Sequence, residues 1–133
     1  MKRRGGARSA GRARRAWTPS SCTGSTSAFD FIYCFGILHR VESPLGLLRL
    51  LRERLAPSGR VLVETYGSNL AADSPAIEVH DPGHARDDFL YWGFSPEGLR
   101  RLGRIVGLDE LEVVDELEID GHPRILALLR ATG

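Results

Sequence analysis

His39 and Glu64 are the two side chains whose positions in this sequence best suit chemistry. His39 ends the segment 35–39, Phe-Gly-Ile-Leu-His, which follows the apolar run 31–35, and Glu64 lies near the end of a second apolar run, 60–66. Imidazole exchanges protons near neutral pH, so His39 is predicted to be a catalytic proton acceptor. A capping or surface position at a helix entrance is the alternative. Glu64 is predicted to bind substrate, or else loop N–H groups satisfy its carboxylate.

Aromatic side chains occur in the long polar segment 68–93. Tyr91 and Trp92 are predicted to bind substrate, because aromatic rings can stack on a base or wall off an acceptor. The alternative is that they anchor this segment to the sheet. Segments of this length in compact domains are usually functional or disordered, and the aromatic residues favour a packed lid.

His80, His84 and the pair 87–88, Asp-Asp, contain the side-chain types that bind metals. Pro82-Gly83 separates the two histidines without fixing their geometry, and no cysteine accompanies them. No metal site is therefore predicted. The two cysteines, Cys22 and Cys34, suggest neither a disulfide framework nor a zinc site, so a reducing cytoplasm is the expected location.

Strand and helix patterns alternate from Phe29 onward, as in a parallel sheet covered by helices. The run 31–35 is predicted to be a strand covered on both faces. Ser43 followed by Pro44 predicts a helix start, and Pro57-Ser58-Gly59 its end, before a strand over 60–66. A right-handed crossover makes these strands parallel, so residues 34–39 and 64–67 are expected at one ligand crevice.

The remaining elements are a helix and a hairpin. Ser95-Pro96 predicts a helix start, and the apolar stripe of that helix ends at Gly107. Strands are predicted over 111–120 and 124–130, with a turn at 121–123 and antiparallel pairing.

Charge divides the chain of 133 residues into two segments. Residues 1–28 carry seven Lys or Arg and no acid, whereas the remainder has eleven basic and seventeen acidic residues. Residues 1–28 also have few large apolar side chains, so they are predicted to be a disordered Arg-rich tail, either solvated or in contact with RNA phosphates. A start produced by out-of-frame translation is a further hypothesis. No secretory signal and no membrane span are predicted.

The order of elements resembles the C-terminal half of class I S-adenosylmethionine-dependent methyltransferases. Gly36-Ile37-Leu38-His39, Ser43-Pro44-Leu45 and Leu62-Val63-Glu64-Thr65 are most similar to the group related to tRNA wobble-uridine carboxymethyltransferases. The resemblance covers residues 29–133, predicted to be a partial methyltransferase domain. It implies an α/β, Rossmann-like fold in which parallel strands with crossover helices end in an antiparallel hairpin.

The resemblance also implies a cofactor and its contacts. S-adenosylmethionine would place its methionine end against four residues after the first strand: Cys34, Phe35, Gly36 and Leu38. Two features depart from the family. The chain has no Gly-x-Gly-x-Gly turn, and Arg40 stands where the family more often has histidine.

Two functions follow as expectations. In the first, the chain belongs to a methyltransferase whose acceptor is tRNA or a small molecule, and it lacks the Gly-rich half. In the second, it is a non-catalytic remnant or binding module with a basic, RNA-contacting tail. In either case the first strand leaves an open edge, and the chain is expected to self-associate or to bind a missing N-terminal half there.

Overall fold

Strand β1 (Phe29–Phe35) and strand β2 (Leu55–Tyr66) are parallel neighbours joined by helix α1 (Pro44–Arg54). These bounds come from a computed structural model that describes residues 28–132. The Ser43 hydroxyl accepts a hydrogen bond from the Gly46 N–H at 3.0 Å, and Pro44 occupies the first helical turn, as predicted. The helix ends at Arg54, earlier than the predicted stop at residues 57–59, and Leu55 already has extended backbone.

The second half begins with a two-stranded antiparallel sheet, β3 (Ile77–Val79) and β4 (Trp92–Phe94). Helix α2 (Pro96–Ile105) follows, and the Ser95 hydroxyl accepts from the Gly98 N–H at 3.0 Å, which confirms the predicted cap. None of the helices among residues 28–132 is long and apolar enough to cross a membrane.

The terminal hairpin is antiparallel as predicted, but its turn is shorter than expected. Strands β5 (Glu110–Ile119) and β6 (His122–Arg130) are joined by Asp120 and Gly121 alone. Both linking residues have positive φ, 52° and 80°, which is the backbone of the two-residue turns that match strand twist. The predicted turn at 121–123 was therefore wrong at its end, because His122 pairs with Ile119 inside the ladder.

The main sheet has the strand order β1-β2-β6-β5, in which only the β1–β2 pair is parallel. Helices α1 and α2 pack on one face. The core there joins strand residues with one residue of each helix: Cys34, Val61, Val63, Ile125, Ala127 and Leu129 with Leu48 and Leu99.

The opposite face of β1 is open. Phe29, Phe31, Tyr33 and Phe35 are 50%, 40%, 68% and 48% exposed, whereas Cys34 is buried. The predicted covering of this strand on both faces is therefore wrong for the described residues. Side chains alternate between the faces of a strand, and the helices of this part of the chain cover only one. Within residues 28–132, β1 is an outer strand of the main sheet, as the predicted open edge requires.

Candidate functional site

The carboxyl ends of β1 and β2 meet at one edge of the sheet, as their parallel pairing requires. Phe35 is in register with Glu64, and the Gly36 N–H donates to the Glu64 carbonyl at 2.9 Å. Gly36 has φ of +66°, a conformation that favours glycine. A Cβ added to Gly36 would lie 3.9 Å from Glu64 Oε2, so the turn and the carboxylate are close neighbours.

Glu64 is held by an ion pair that the sequence did not reveal. Arg124 Nε lies 3.0 Å from Glu64 Oε1, and both side chains are largely buried. The guanidinium of Arg124 also lies over the ring of Tyr66, 4.2 Å from its centroid. Arg124 and Tyr66 are partners in the antiparallel register of β2 and β6. This register joins strands far apart in the sequence, so no local signal in the sequence could have identified the pair.

His39 is buried beneath the end of β2, in the 3-10 turn Leu38–Arg40. The Tyr66 N–H donates to His39 Nδ1 at 3.3 Å, and the Thr65 hydroxyl lies 3.1 Å from the same atom. A backbone N–H can only donate, so Nδ1 is the acceptor and the ring proton belongs on Nε2. Nε2 is itself buried without a hydrogen-bond partner.

Burial lowers the pKa of His39 to about 4, with smaller contributions from the positive charges of Arg40 and Arg124. The neutral imidazole is therefore the form present at pH 7. Its basic nitrogen already accepts from Tyr66 and Thr65, so taking a substrate proton would require these contacts to break. Proton acceptance by His39 stays a prediction, and in this arrangement the ring joins the loop to the end of β2.

The four predicted cofactor contacts fall into two groups. Phe35 is about half exposed, and Gly36 lies at the turn beside Glu64. Cys34 and Leu38 have buried side chains in the core, and burial raises the pKa of the Cys34 thiol. Cys34 is 2% and Leu38 0% exposed as whole residues, so neither presents surface to a ligand in this arrangement, and their contact with the cofactor stays a prediction.

The segment 68–93 folds back over this edge and is anchored there. The Tyr91 N–H donates to the His39 carbonyl at 2.9 Å, and Trp92 Nε1 donates to the Val41 carbonyl at 2.7 Å. Trp92 also packs against the core, which supports the anchoring alternative for this residue. An ion pair of 2.5 Å between Arg40 and Asp87 adds a further connection.

All four histidines of the chain lie in or beside this region. The rings of His80 and His84 stack at 4.1 Å with an interplanar angle of 1°, and His122 lies 5.3 Å from His84. No group of three or more His, Cys, Asp or Glu side chains within residues 28–132 is arranged to hold a metal ion. A cavity of about 620 Å³ opens beside the cluster, lined by Tyr66, Ala85, Arg86, Ile119, Asp120, His122 and Arg124.

Comparison of the sequence with protein families matches residues 5–113 to a model described as a methyltransferase domain. A tRNA U34 carboxymethyltransferase of Chromohalobacter salexigens is 33% identical over 107 residues, which cover 79% of this chain and 29% of the relative. A tRNA U34 carboxymethyltransferase of Vibrio vulnificus is 29% identical over 89 residues, 67% of this chain and 27% of the relative. The chain thus spans less than a third of these relatives, and the predicted resemblance is confirmed.

Solved structures confirm the predicted fold class. The N-terminal domain of EvdMO1, solved with SAH bound, matches 80% of this chain and 48% of its own, with a TM-score of 0.54 and 23% identity. A 1,6-didemethyltoxoflavin-N1-methyltransferase of Burkholderia thailandensis, with S-adenosylhomocysteine bound, matches 86% of this chain and 48% of its own, with a TM-score of 0.55 and 20% identity. At these identities the likeness concerns the fold alone.

Proposed function

Because this chain belongs to the methyltransferase domain family, we propose that it takes part in S-adenosylmethionine-dependent methyl transfer and contributes the residues around the methyl group. The observation that carries the proposal is the Glu64 carboxylate. Arg124 holds its Oε1, while Oε2 lies beside the Gly36 turn. A fixed negative charge at the carboxyl edge of two parallel strands suits a cationic ligand group.

The described residues fit the methionine end of the cofactor. The Gly36 turn has no Cβ to block a ligand, and Phe35 and Ile37 beside it are each about half exposed. When bound, S-adenosylmethionine supplies an electrophilic methyl group on a sulfonium. Glu64 would attract the positive charges of this ligand, and residues 35–37 would line its methionine end, with Cys34 and Leu38 supporting them from the core.

The other predicted residues would act on the acceptor side. The partly exposed Tyr91 is proposed to contact the acceptor, while Trp92 holds the segment 68–93 in position. His39 is proposed to align the loop 36–40, with proton acceptance as the second role to be tested. The named substrate of the sequence relatives supports tRNA as the acceptor, and a small molecule is the alternative.

Calorimetric titration of the whole chain with S-adenosylmethionine tests this proposal. We expect saturable binding that weakens about tenfold in Glu64→Gln, which keeps the shape of the side chain and removes its charge. Glu53→Gln, on the exposed surface of α1, is the matched control and should bind like the parent chain. Absence of heat at millimolar cofactor in a folded chain would contradict the proposal.

That negative result would support a non-catalytic binding module instead. The specific observation in favour of this second candidate is the absence of any Gly-x-Gly-x-Gly segment from the 133 residues. A basic tail in contact with RNA belongs to the same candidate. Retention of a tRNA pool by the whole chain, lost when Arg12, Arg14 and Arg15 are replaced with Gln, would favour the module when cofactor binding is absent.

We also propose that the open edge of β1 pairs with another polypeptide strand. The support is its position at the end of the sheet and the row of exposed aromatic side chains next to it. A second copy of the chain is the first candidate partner, and a separate N-terminal half is the alternative. Light scattering across a range of concentrations tests self-association, and a monomer at all of them would contradict it.

A further inference from the structure

The cavity beside the histidine cluster lies at the same sheet edge as Gly36 and Glu64. Its wall is formed by Tyr66 of β2, by residues 85–86, by residues 119–120 and by His122 and Arg124 of β6. A volume of about 620 Å³ leaves room for a group much larger than water. It adjoins the place where the acceptor would meet the methyl group.

Positive charge predominates in this wall. Arg86 is exposed and has no ion-pair partner among residues 28–132, so its guanidinium is available to a ligand. The charge of Arg124 is shared with Glu64. Asp120 is the one carboxylate among the residues that line the cavity, and it lies on the hairpin turn.

Three imidazoles lie in or beside the cavity and add N–H groups that can donate to an anion. His122 lines the cavity, His84 is 5.3 Å behind it, and His80 stacks on His84. Burial lowers the pKa of His80, followed by the charge of His84, while Glu78 on β3 acts in the opposite direction and His122 in the same direction.

Other groups also face the imidazoles. Tyr66 and Arg124 approach His122 from β2 and β6, and Asp120 adjoins it through the turn. His39, whose own burial keeps it neutral at pH 7, also contacts the Tyr66 ring, with the ring centroids 4.8 Å apart. The lining thus offers two guanidinium groups and an imidazole against one carboxylate, a set of donors that suits a bound anion.

We propose that this cavity binds a phosphate-class oxyanion carried by the methyl acceptor, through Arg86, His122 and Arg124, which line it from two separate elements. Guanidinium groups suit phosphate oxygens, and donors from separate elements suit a tetrahedral anion better than a planar one. Assigning the anion to the acceptor rests on the methyl transfer proposed above. Binding of the anion itself does not.

The test is a titration of the whole chain without cofactor, followed by NMR of the histidine rings. Uridine 5′-monophosphate, uridine and inorganic phosphate are the probes. The monophosphate is expected to bind at least about tenfold more tightly than uridine, with phosphate as its competitor. Sulfate, which stays fully ionised near neutral pH, isolates the contribution of the protein and is expected to compete with phosphate for the site.

Variants assign the effect to residues. Arg86→Gln is expected to weaken sulfate binding about tenfold, and His122→Gln is expected to weaken it by a smaller factor. Arg49→Gln, exposed on α1, is the control and should match the parent. Circular dichroism confirms that each variant is folded.

Equal binding of uridine and its monophosphate, or parental sulfate binding by folded Arg86→Gln and His122→Gln, would overturn the assignment. If phosphate and sulfate bind as tightly as the nucleotide does, the site binds free phosphate. The assignment of the anion to the methyl acceptor would then be overturned. The cofactor titration described above is independent of all these measurements. A failed anion site and a failed methyl-transfer proposal can therefore be told apart.

Discussion

The two faces of the main sheet have similar apolar residues but different neighbours. On the covered face, Cys34, Val63 and Leu129 are buried under α1 and α2, whereas on the open face Phe31 and Tyr33 remain in contact with solvent. Phe31, Tyr33 and Phe35 contact one another along the strand, with ring centroids 4.8 and 5.6 Å apart. Stability within the described residues should therefore depend on the covered face, and association on the open one.

Truncation of one buried and one exposed side chain tests this difference between the two faces most directly. Leu48→Ala removes a fully buried residue of α1 and is expected to lower the free energy of unfolding by about 2–5 kcal/mol. Tyr33→Ser, at a position 68% exposed, should change it by less than about 0.5 kcal/mol in the monomer. Urea unfolding of both variants at low concentration measures the difference. Equal losses would contradict the assignment of the two faces.

Acid should act on stability through the buried His39. Its pKa in the folded protein, about 4, lies below the unfolded value of about 6.5, so between these values the unfolded chain binds the extra proton. Stability should therefore fall as pH decreases from about 6.5 to about 4, by about 2–3 kcal/mol from this residue. His80, whose pKa is also lowered, acts in the same direction.

His39→Asn is the matched variant for the acid effect. Its amide oxygen can accept hydrogen bonds where Nδ1 does, but the side chain does not titrate. The variant is expected to be less stable than the parent at neutral pH and to lose less further stability in acid. Urea unfolding at several pH values measures both, and an unchanged pH slope would rule out His39 as the source.

Gly98 tests how tightly α2 is packed against the segment 68–93. A Cβ at Gly98 would clash with the carbonyl oxygen of Ala76 and would lie 3.0 Å from the carbonyl carbon and nitrogen of that residue. Gly98→Ala is therefore expected to cost about 1–3 kcal/mol, although alanine favours helices. Gly46→Ala changes an exposed residue in the first turn of α1. It is a milder comparison, because the added Cβ would meet a side chain, that of Ser43, and no backbone. A stabilised Gly98→Ala would show that α2 is loosely packed.

Local chemistry made the helix starts predictable, and tertiary contacts explain what was missed. Ser43-Pro44 and Ser95-Pro96 carry their capping signals in adjacent residues. The apolar run 31–35 has no alternation, so it could not indicate which face of β1 lacks a covering helix.

The parts of the candidate site that follow from the ends of parallel strands could be predicted from the sequence. The parts that depend on strand pairing across the sheet could not. The neighbourhood of Gly36 and Glu64 follows from two parallel strands. The contacts of Arg124 with Glu64 and Tyr66 depend on the register of β6, and the burial of His39 depends on the segment that folds over it. Both need the assembled fold.

A charge on the exposed face of β1 should have little effect on the stability of the monomer and a clear effect on its association. Tyr33→Lys places a charge in the middle of the exposed aromatic row and is expected to change the free energy of unfolding of the monomer by less than about 0.5 kcal/mol. If β1 pairs with a second copy, the desolvated charge should weaken self-association at least about tenfold, because charged side chains on edge strands oppose pairing. Glu112→Lys, on the other outer strand β5, is the control for adding a lysine to an edge. Sedimentation equilibrium compares the dissociation constants, and equal weakening by both lysines would mean that net charge, and not the aromatic face, governs association.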